Sequence, residues 1–475
     1  MGSAGPETVP ERPDLPLFMW SLPAMKILLI SANPLIVPSP VYPIGLDYVA
    51  GSIADRHEVK IVDLNEKNGM ERMTGLIEDF APHLIGLSLR NIDNQDAFDT
   101  KTYVTGYQQL ISRIRAMTSA KIVLGGSGFT IFPSELMSLL DADYGIIGDG
   151  EQLLPLLDAI ESQSDALGIP GLVTKNSPFA GFPGNAQMPF QRSFDADSPH
   201  VRYYLKQGGI LNLQTKRGCP YHCIYCTYPR IDGSRLRLID PDDVARTARM
   251  LQEAGAKYLF ITDSTFNCNA DHSLRVAKAF IKAGLSIPWG AFFAPFTPPA
   301  GYYKIMAEAG LSHCEFGTES LCDRVLSAYG KPFCANDVFF AHEQASAAGL
   351  HVAHYLLFGG PGEDEITIAE TLSKAEKLEK AVLILFCGIR IYPHTALHDI
   401  AVRQGQITRD QNLLEPVFYR SLTLSSDTMT AMLTAHAAGR PHWVLGSGSA
   451  EVAYIVSRLH ARGHSGPLWE RLIRS

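Results

Sequence analysis

Short apolar runs rich in β-branched residues alternate with amphipathic stretches from residue 26 onwards. Strands that are buried on both faces appear as nearly continuous apolar runs, whereas the segments between them show the spacing of one helix face. This alternation predicts a parallel sheet with helices on both sides, so we expect a doubly wound, Rossmann-like α/β domain that ends near residue 160. Its expected strands are 26–31, 58–63, 84–89, 121–124 and 143–147.

A second alternation begins at residue 210 and contains six βα units. Such a series predicts a partial or full (β/α) barrel, whose chemistry would lie on the loops after the carboxyl ends of the strands. Beyond residue 388 the rhythm is lost, and the chain ends in a helical stretch around 450–462. We expect a small, mainly helical C-terminal region. The expected barrel strands are 210–214, 258–262, 289–293, 313–316, 352–357 and 383–387.

The remaining segments show no sustained period. Residues 162–208 are rich in Pro, Gly, Ser and Asn, which is typical of an interdomain linker. The first 24 residues contain five prolines but neither a basic nor a continuous apolar region, so we expect a flexible leader rather than a secretory signal. The expected organisation is a leader (1–24), a first domain (25–161), a linker (162–208), a barrel (209–388) and a C-terminal region (389–475).

Composition narrows the class of protein. The net charge of -8 and the pI near 6.0 argue against a nucleic-acid partner and favour a small-molecule substrate. The longest apolar runs, such as 381–387, are far shorter than the ~20 residues of a membrane span. Eight cysteines in a chain of this length, with three of them clustered, fit a reducing compartment better than a disulfide framework. The expected location is the cytoplasm.

The clustered cysteines, Cys219, Cys223 and Cys226, form a CxxxCxxC motif directly after the first barrel strand. Thiolates select zinc, cuprous copper or iron–sulfur clusters, and a cubane with only three protein ligands keeps one iron open for chemistry. A structural zinc site is the alternative, but it normally needs a fourth Cys or His. No second CxxC pair exists in the sequence. His222 directly precedes Cys223 and is expected to point away from a metal that Cys223 binds. The other cysteines are scattered singly: Cys268, Cys314, Cys322, Cys334 and Cys387.

A CxxxCxxC motif with an aromatic residue, here Tyr225, before the third cysteine resembles that of the radical S-adenosylmethionine (SAM) superfamily. The resemblance implies that Cys219, Cys223 and Cys226 bind a 4Fe–4S cluster whose open iron is chelated by the amino and carboxylate groups of SAM. It also implies that Tyr225 lies against the adenine. An electron from the cluster would then cleave SAM to a 5′-deoxyadenosyl radical.

Two further motifs resemble SAM-binding elements of this superfamily. The turn of Gly359, Gly360, Pro361 and Gly362 resembles the glycine-rich turn near the SAM methionine moiety, where free amides could meet a carboxylate. A simple tight turn is the alternative. Thr318, Glu319 and Ser320 resemble the Gly-x-Glu-Ser element that reaches the SAM amino group or ribose. Alternatively, Thr318 or Ser320 caps the following helix.

Two more motifs are similar to elements of cobalamin-linked members. Asp263 begins an Asp-x-x-Phe-Asn element and is expected beside SAM or the substrate, with helix capping as the alternative. Tyr392 begins a Tyr-Pro-His-Thr turn that is similar to the subgroup's Tyr-Pro-Gly-Thr turn. Since His394 replaces the usual glycine, the geometry of this turn is left open.

The first domain resembles the cobalamin-binding domain that precedes many radical SAM barrels. Its strand-end loops would collect along one sheet edge, where open α/β sheets hold ligands. No GxGxxG follows the first strand, which argues against a nucleotide site. The Asp-x-His-x-x-Gly loop of histidine-ligated cobalamin enzymes is also absent, so the resemblance implies a cobalt without a protein imidazole. A degenerate domain that has lost the cofactor is the alternative. The expected cobalamin contacts are Ile44, Gly45, Leu46, Ser88, Arg90, Asn91, Gly125, Gly126, Ser127, Gly150 and Glu151.

These resemblances imply an oxygen-sensitive radical SAM enzyme that uses a 4Fe–4S cluster, SAM and cobalamin. Cobalamin-dependent methylation of an unactivated centre in a small molecule is the expected reaction, with an external electron donor such as flavodoxin or ferredoxin. Alternatives are 3-amino-3-carboxypropyl transfer, or radical cyclisation or oxidation with a degenerate cobalamin domain. A zinc-stapled corrin-binding sensor without catalysis is the alternative from another class. Neither the linker nor residues 388–475 contain a motif that names the substrate.

Overall fold

The computed structural model describes residues 24–36, 39–166, 168–176, 191–446 and 450–473. The expected leader, apart from residue 24, lies outside the described residues, as does the 177–190 part of the expected linker. The chain forms two large sheets, one N-terminal and one made mostly by the barrel segment.

The N-terminal sheet has six strands in the order β2-β1-β3-β4-β5-β6. Five strands are parallel, and β6 pairs antiparallel with β5. The five expected strands are all present to within one residue at each end. The sixth lies inside the segment expected to be a linker, and at three residues it is too short to show a period. The strands are β1 (Lys26–Ser31), β2 (Glu58–Asp63), β3 (Leu84–Ser88), β4 (Lys121–Gly125), β5 (Tyr144–Ile146) and β6 (Leu172–Thr174).

Helices cover both faces of this sheet, as the doubly wound pattern predicts. Leu28 and Ile30 of β1 belong to one core, whereas Ile27 and Leu29 belong to another on the opposite face. This separation follows from the alternation of side chains along a strand. The helices are α1 (Ile44–Ile53), α2 (Gly69–Gly75, continued by a π turn at Leu76–Phe80), α3 (Val104–Met117), α4 (Ser127–Ile131), α5 (Pro133–Leu139) and α6 (Leu153–Glu161).

The second sheet has seven parallel strands in the order β17-β14-β13-β12-β11-β10-β7, with β7 and β17 at its edges. It is thus a partial barrel, and all six expected strands belong to it. The seventh strand lies in the C-terminal region, which was expected to be mainly helical. That region therefore also extends the barrel sheet. The strands, with two small hairpins, are β7 (Ile210–Leu213), β8 (Lys216–Arg217), β9 (Arg237–Leu238), β10 (Tyr258–Ile261), β11 (Trp289–Phe293), β12 (Leu311–Glu319), β13 (His351–Phe358), β14 (Ala381–Cys387), β15 (Ile389–Arg390), β16 (Phe418–Tyr419) and β17 (Trp443–Leu445).

Helices of the second half pack on the outer face of the barrel sheet and form its main core. Sequence signals fix some of their ends: Asp240 caps α9 by accepting from the amide of Asp242, and Gly284 ends α10 in the left-handed region. No helix in the described part of the chain is long and apolar enough to cross a membrane. The helices are α7 (Pro199–Lys206), α8 (Tyr228–Ile231), α9 (Pro241–Glu253), α10 (Ala270–Ala283), α11 (Tyr302–Glu308), α12 (Asp323–Ala328), α13 (Ala335–Ala347), α14 (Glu365–Ala375), α15 (Ala396–Arg403), α16 (Ser426–Ala437) and α17 (Ala450–Ala461).

Buried ionic contacts join the N-terminal sheet to the rest of the chain. Arg192 Nε donates to Asp47 Oδ2 of α1 at 2.7 Å, and Arg390 Nε donates to Asp93 Oδ2 at 3.0 Å. All four side chains are almost fully buried, so each pair fixes the geometry of the segments it joins. The N-terminal sheet therefore lies against the barrel.

Candidate active site

The cysteine loop connects the two strands of the β8–β9 hairpin and is held by backbone hydrogen bonds at several points. The amide of Cys219 donates to the carbonyl of Gly233 at 3.0 Å, and that of Ile224 donates to Tyr329 at 3.1 Å. Gly218 enters the loop with φ +90°, and a Cβ there would lie 2.1 Å from the carbonyl oxygen of Arg235. Only glycine fits at this position.

The three thiols of the loop lie close enough to influence one another electrostatically. Burial, together with the nearby Cys223 and Cys219, raises the pKa of Cys226 to about 12. A single zinc ion needs ligands that converge to ~2.0–2.3 Å of one point. In the described part of the chain, no three His, Cys, Asp or Glu side chains are grouped to hold one metal ion. Ligands of a cubane bind different irons and need not converge, so this donor set fits a 4Fe–4S cluster.

A buried cation lies beside this loop. Lys331 Nζ is 3.0 Å from Glu319 Oε1, 3.1 Å from the Tyr225 hydroxyl and 3.8 Å from Cys223 Sγ. Burial alone would lower the pKa of Lys331, but Glu319 and Cys223 outweigh burial and raise it. Glu319 adopts φ +61°, an unusual backbone conformation for a non-glycine residue. Tyr225 and Glu319 therefore lie beside the cysteines, and their expected contacts with SAM stay predictions. Lys331 gave no sequence signal.

The neighbours of Glu319 point elsewhere. Thr318 Oγ1 lies 2.8 Å from His354 Nδ1, and Ser320 Oγ lies 2.9 Å from the hydroxyl of Thr371. Both side chains are fully buried in these contacts, so they do not support the expected role in binding SAM. Neither is a helix cap, because α12 begins after Cys322.

Asp263 is occupied by the segment that precedes the cysteine loop. Its carboxylate accepts from the amide of Thr215 at 2.9 Å and from the Thr215 hydroxyl. The side chain is 1% exposed. Asp263 therefore positions the start of the β8 hairpin and caps no helix, and its expected contact with SAM or the substrate stays a prediction.

The backbone amides of the glycine-rich turn after β13 donate hydrogen bonds to the carboxylate of Glu363 in the same turn. Glu363 Oε2 accepts from the amides of Gly359 and Gly360, the latter at 2.9 Å, and from the Tyr329 hydroxyl at 2.9 Å. The expected free amides are therefore already bonded. Gly360 packs against the ring of Tyr329, and Gly359 and Gly362 adopt positive φ values, as a tight turn requires. Pro361 lies in the same turn. Because the carbonyl of Tyr329 also accepts from the amide of Ile224, Tyr329 connects this turn to the cysteine loop.

Tyr392 packs in the core that the second half of the chain shares with the N-terminal domain, and Ile224 and Tyr225 of the cysteine loop pack against the same core. Its ring centroid is 6.1 Å from that of Phe132, and the guanidinium of Arg390 lies 4.9 Å above it. A contact with SAM is therefore not supported. His394 adopts φ +61°, so the turn keeps the left-handed conformation that glycine would supply.

A cavity separates the carboxyl edge of the N-terminal sheet from the barrel. Residues of both sides line it, including Gln214, Arg217, Tyr228 and Thr262 from the barrel. The sequence did not indicate these barrel residues individually, although positions that follow strand ends are the general signal. Nine of the expected cobalamin contacts line the cavity: Ile44, Gly45, Leu46, Ser88, Arg90, Gly125, Gly126, Ser127 and Gly150.

The two other expected contacts differ. Asn91 is not among the described residues that line the cavity, and its side-chain oxygen accepts from Arg90 at 3.3 Å. The side chain of Glu151 lies outside the described residues. No His, Cys or Met is among the described lining residues, in agreement with the absent Asp-x-His-x-x-Gly loop. The chemistry of the lining therefore fits a corrin, which these residues would hold along the sheet edge.

An ionic bridge connects the two sides of the cavity. Asp149, in the loop after β5, pairs with Arg217 of β8 at 2.8 Å and with Arg237 of β9. These two strands carry the cysteine loop between them, so the N-terminal edge is tied directly to it. Sequence reasoning missed this bridge because nothing local relates the three residues.

Comparison with known proteins gives the same two domains. A model of the B12 binding domain matches residues 35–158, and a model of the radical SAM superfamily matches residues 213–375. Tryptophan 2-C-methyltransferase of Streptomyces laurentii is 24% identical over 440 residues, covering 77% of this chain and 73% of the relative. An uncharacterized methyltransferase of Pyrococcus horikoshii is 26% identical over 412 residues, covering 83% of this chain and 87% of the relative.

Two solved structures share the fold. The radical SAM methyltransferase TsrM of Kitasatospora setae, solved with cobalamin and a 4Fe–4S cluster, superposes with a TM-score of 0.80 at 22% identity, covering 94% of this chain and 97% of TsrM. The cobalamin-dependent SAM radical enzyme OxsB gives a TM-score of 0.72 at 15% identity, covering 89% and 68% respectively. The two family models agree with the cofactors expected from the sequence. Since both models match, each on one of the two sheets that border the cavity, the enzyme has a B12-binding domain followed by a radical SAM domain.

Proposed function

We propose that this enzyme transfers the methyl group of SAM, by way of cobalamin, to a carbon of a small molecule. The observation that carries the proposal is the cavity between the two domains. Loops expected to hold a corrin form one side, and residues that flank the cysteine loop form the other. Cofactors on these two sides would face each other across one space.

The residues divide into groups with different tasks. When bound, the cluster and SAM supply radical chemistry at carbon, and cobalamin supplies the methyl group. Cys219, Cys223 and Cys226 would hold the cluster. Lys331 and Glu319 place one positive and one negative charge next to it, and both are largely shielded from water. On the opposite side, glycine backbone leaves room for a flat macrocycle.

Methyl transfer is favoured over the rival reactions by the printed names of the relatives. Tryptophan 2-C-methyltransferase and hopanoid C-3 methylase are named for methylation at carbon, and they match 77% and 70% of this chain. The nine expected contacts that line the cavity argue against a degenerate cobalamin domain. We further propose that the substrate is a small molecule and that the external electron donor is a flavodoxin or ferredoxin.

Methyl-labelled SAM tests the proposal without knowledge of the substrate. The full chain is reconstituted anaerobically with iron, sulfide and cobalamin, reduced, and incubated with SAM that carries a deuterated methyl group. Label in the corrin fraction together with S-adenosylhomocysteine supports methyl transfer. Methylthioadenosine with an unlabelled corrin would instead support transfer of the aminocarboxypropyl group.

The cluster ligands are tested by Cys223→Ala, with Cys334→Ala as the matched control because Cys334 is an exposed single cysteine. We expect Cys223→Ala to lose the ~400 nm absorption of the cluster and reductive SAM cleavage, while cobalamin still binds. The control should keep all three. If 5′-deoxyadenosine still forms in Cys223→Ala, or if the wild type holds one zinc and no cluster, the proposal fails.

A further inference from the structure

The end of β12 carries an irregularity in its pairing with β13. Gly317 pairs with Tyr355, whereas Glu319 pairs with the next residue of β13, Leu356. Thr318, between them, is therefore an extra residue in β12, and such bulges are rare between parallel strands. Glu319 follows the bulge with φ +61°, a conformation that a residue with a Cβ keeps only where its surroundings hold it. Neighbouring groups must therefore fix this stretch of backbone.

A chain of buried side chains starts at the extra residue. Thr318 Oγ1 lies 2.8 Å from His354 Nδ1 of β13, and His354 Nε2 lies 3.1 Å from His342 Nδ1 of α13. His342 is also hydrogen-bonded to the backbone of Glu379. Thr318 and His354 have no exposed surface, and His342 is 5% exposed. The chain therefore connects the bulge to a helix on the outer face of the sheet.

The hydrogen atoms of this chain can be placed from its far end. The bond to Glu379 opposes the lowering of the His342 pKa by burial, which identifies the partner as a carbonyl oxygen. A carbonyl only accepts, so the ring nitrogen that faces it, His342 Nε2, carries a hydrogen.

The remaining donors follow from the charge of the two rings. Burial lowers the pKa of His342 and of His354, so both imidazoles are neutral, each with one donor and one acceptor nitrogen. His342 Nδ1 then accepts from His354 Nε2, and His354 Nδ1 accepts from the Thr318 hydroxyl. The Thr318 hydroxyl is therefore held in a single orientation, toward the helix.

The next side chain of β12 points the other way. The Glu319 carboxylate lies 3.0 Å from Lys331 Nζ, which in turn is 3.8 Å from Cys223 Sγ. Adjacent side chains of a strand lie on opposite faces, so an anchor on Thr318 limits the directions that Glu319 can take. The buried chain and the cysteine loop are thus linked through two neighbouring residues.

We propose that Thr318, His354 and His342 are positioning residues, which hold the Glu319 carboxylate in the direction that binds SAM at the cluster. The three side chains act through Glu319 and do not touch the ligand. A polar chain costs desolvation that apolar side chains of the same size would avoid, so its place beside the bulge calls for a role beyond filling the core. The inference rests on the expected contact between Glu319 and SAM, and not on methyl transfer.

The test measures SAM affinity on the full chain, reconstituted with cluster and cobalamin, by anaerobic equilibrium dialysis with labelled SAM before reduction. Thr318→Val keeps the shape of the side chain and removes only the hydroxyl. We expect its dissociation constant for SAM to rise about tenfold, with the cluster absorption unchanged. Ser273→Ala is the matched control, because it removes an equally buried hydroxyl, 2.7 Å from that of Tyr302. It should lower the melting temperature similarly and leave SAM affinity unchanged.

Two substitutions of His354 separate positioning from packing. Asparagine places a side-chain oxygen near the position of Nδ1 and can still accept from Thr318, whereas glutamine places its polar atoms near Nε2. We expect His354→Asn to keep SAM affinity within about threefold of the wild type, and His354→Gln to lose about tenfold. Both variants lose the ring, so their melting temperatures should fall alike. This pair also decides the question if Thr318→Val does not fold.

Glu319→Gln sets the scale and should weaken SAM binding at least about tenfold. Unchanged SAM affinity in Thr318→Val, or equal affinities in the two His354 variants, would overturn the inference and show that the chain only fills the core. If Glu319→Gln binds SAM as the wild type does, the expected contact is wrong and the inference falls with it. A wild type that binds SAM but transfers no methyl group would count against the proposed function alone.

Discussion

The two sides of the cavity between the domains are built in opposite ways. The N-terminal side presents glycines at 45, 125, 126 and 150 among mainly apolar side chains. The barrel side and the cysteine loop behind it are fixed by buried charges and hydrogen bonds. Examples are Lys331 with Glu319 and Asp263 with Thr215. The N-terminal side leaves room for a ligand at its glycines, whereas the barrel side holds its polar side chains in place.

The difference follows from what each side has to bind. A flat macrocycle needs area, which glycines at strand ends supply by letting backbone approach closely. A small charged ligand beside an inorganic centre instead needs a few groups held in place, and ion pairs in a dry site do this. Variants that fill the first side or loosen the second therefore have different expected consequences.

The largest effect is expected from filling the N-terminal side with Gly45→Trp. Gly45 lines the cavity in the first turn of α1, and a Cβ there meets no atom within 4 Å. The chain can therefore accept the side chain, whereas a corrin would meet it. We expect cobalamin affinity, measured by spectral titration, to fall about 100-fold or more, a loss of about 3 kcal/mol. The cluster spectrum should be unchanged.

Gly106→Trp is the control for this variant. Gly106 is also helical and exposed, and its Cβ likewise meets nothing within 4 Å, but it lies outside the cavity lining. It should bind cobalamin as the wild type does. If Gly45→Trp also binds normally, the corrin does not lie over this edge.

The second effect concerns the ion pair on the barrel side. Lys331→Met removes the cation from Glu319, and the two side chains are only 8% and 15% exposed. Breaking the pair leaves one charge uncompensated, and because both side chains keep some exposure we expect a cost of about 2–3 kcal/mol, less than for a fully buried pair. We expect a lower midpoint in urea unfolding of the apoprotein and poorer retention of the cluster. Arg324→Met, which breaks an exposed pair with Asp364, should leave the midpoint unchanged. Equal midpoints in wild type and Lys331→Met would show that this ion pair adds nothing to the stability of the folded apoprotein.

The sequence predicted most of the fold because strands buried on both faces leave a local signature. Eleven expected strands are present, whereas β6 and β17, with three residues each, are too short to show a period. The cysteine loop and the corrin edge were also predictable, since motif spacing and strand-end glycines are local features. Lys331 could not be found, because only the tertiary fold brings it to Cys223.

The limits of the predicted site share one physical cause. Asp263, Thr318 and Ser320 are polar residues at or near strand ends, where a ligand contact and an internal hydrogen bond leave the same sequence pattern, so their expected contacts stay predictions. The side-chain direction decides between them, and the packed neighbours set that direction. Glu363 shows the same limit, since its carboxylate takes the amides that a ligand could have used.

The third effect is a pH dependence that originates in the glycine-rich turn of the barrel. Burial raises the pKa of Glu363 from its usual 4.5 to about 7, although hydrogen bonds from Gly360 and Tyr329 oppose the shift. The folded state therefore holds this proton more tightly than the unfolded chain. The contribution of Glu363 to the free energy of unfolding should therefore be complete below pH 4.5. It should fall by up to about 3 kcal/mol as the pH rises to about 7.

Glu363→Gln keeps an acceptor for the glycine amides but cannot ionise. Its melting temperature should therefore fall less than that of the wild type between pH 5 and 7.5. Glu365→Gln, at an exposed position two residues further on, is the control and should follow the wild type. Parallel melting curves for all three proteins would mean that Glu363 does not titrate in this range.

The smallest effect is expected at the bridge that joins the two sides. Asp149→Asn keeps the shape of the side chain but removes the charge that faces Arg217 and Arg237. A hydrogen bond to a charged partner contributes about 1.5–3 kcal/mol, and asparagine retains part of it. We expect the loss of about 1 kcal/mol to be local, because the bridge touches only the β8–β9 hairpin and the loop after β5.

Hydrogen exchange can separate this local effect from a global one. In Asp149→Asn, amides of the hairpin at 216–218 and 237–238 should exchange about fivefold faster, since about 1.4 kcal/mol corresponds to tenfold. Amides of the central strands β12 and β13 should be unchanged. Asp141→Asn, whose carboxylate pairs with exposed Lys175, should change neither set. Faster exchange throughout the barrel would mean that Asp149 stabilises the whole protein. No change at the hairpin would mean that the cysteine loop is held by the barrel alone.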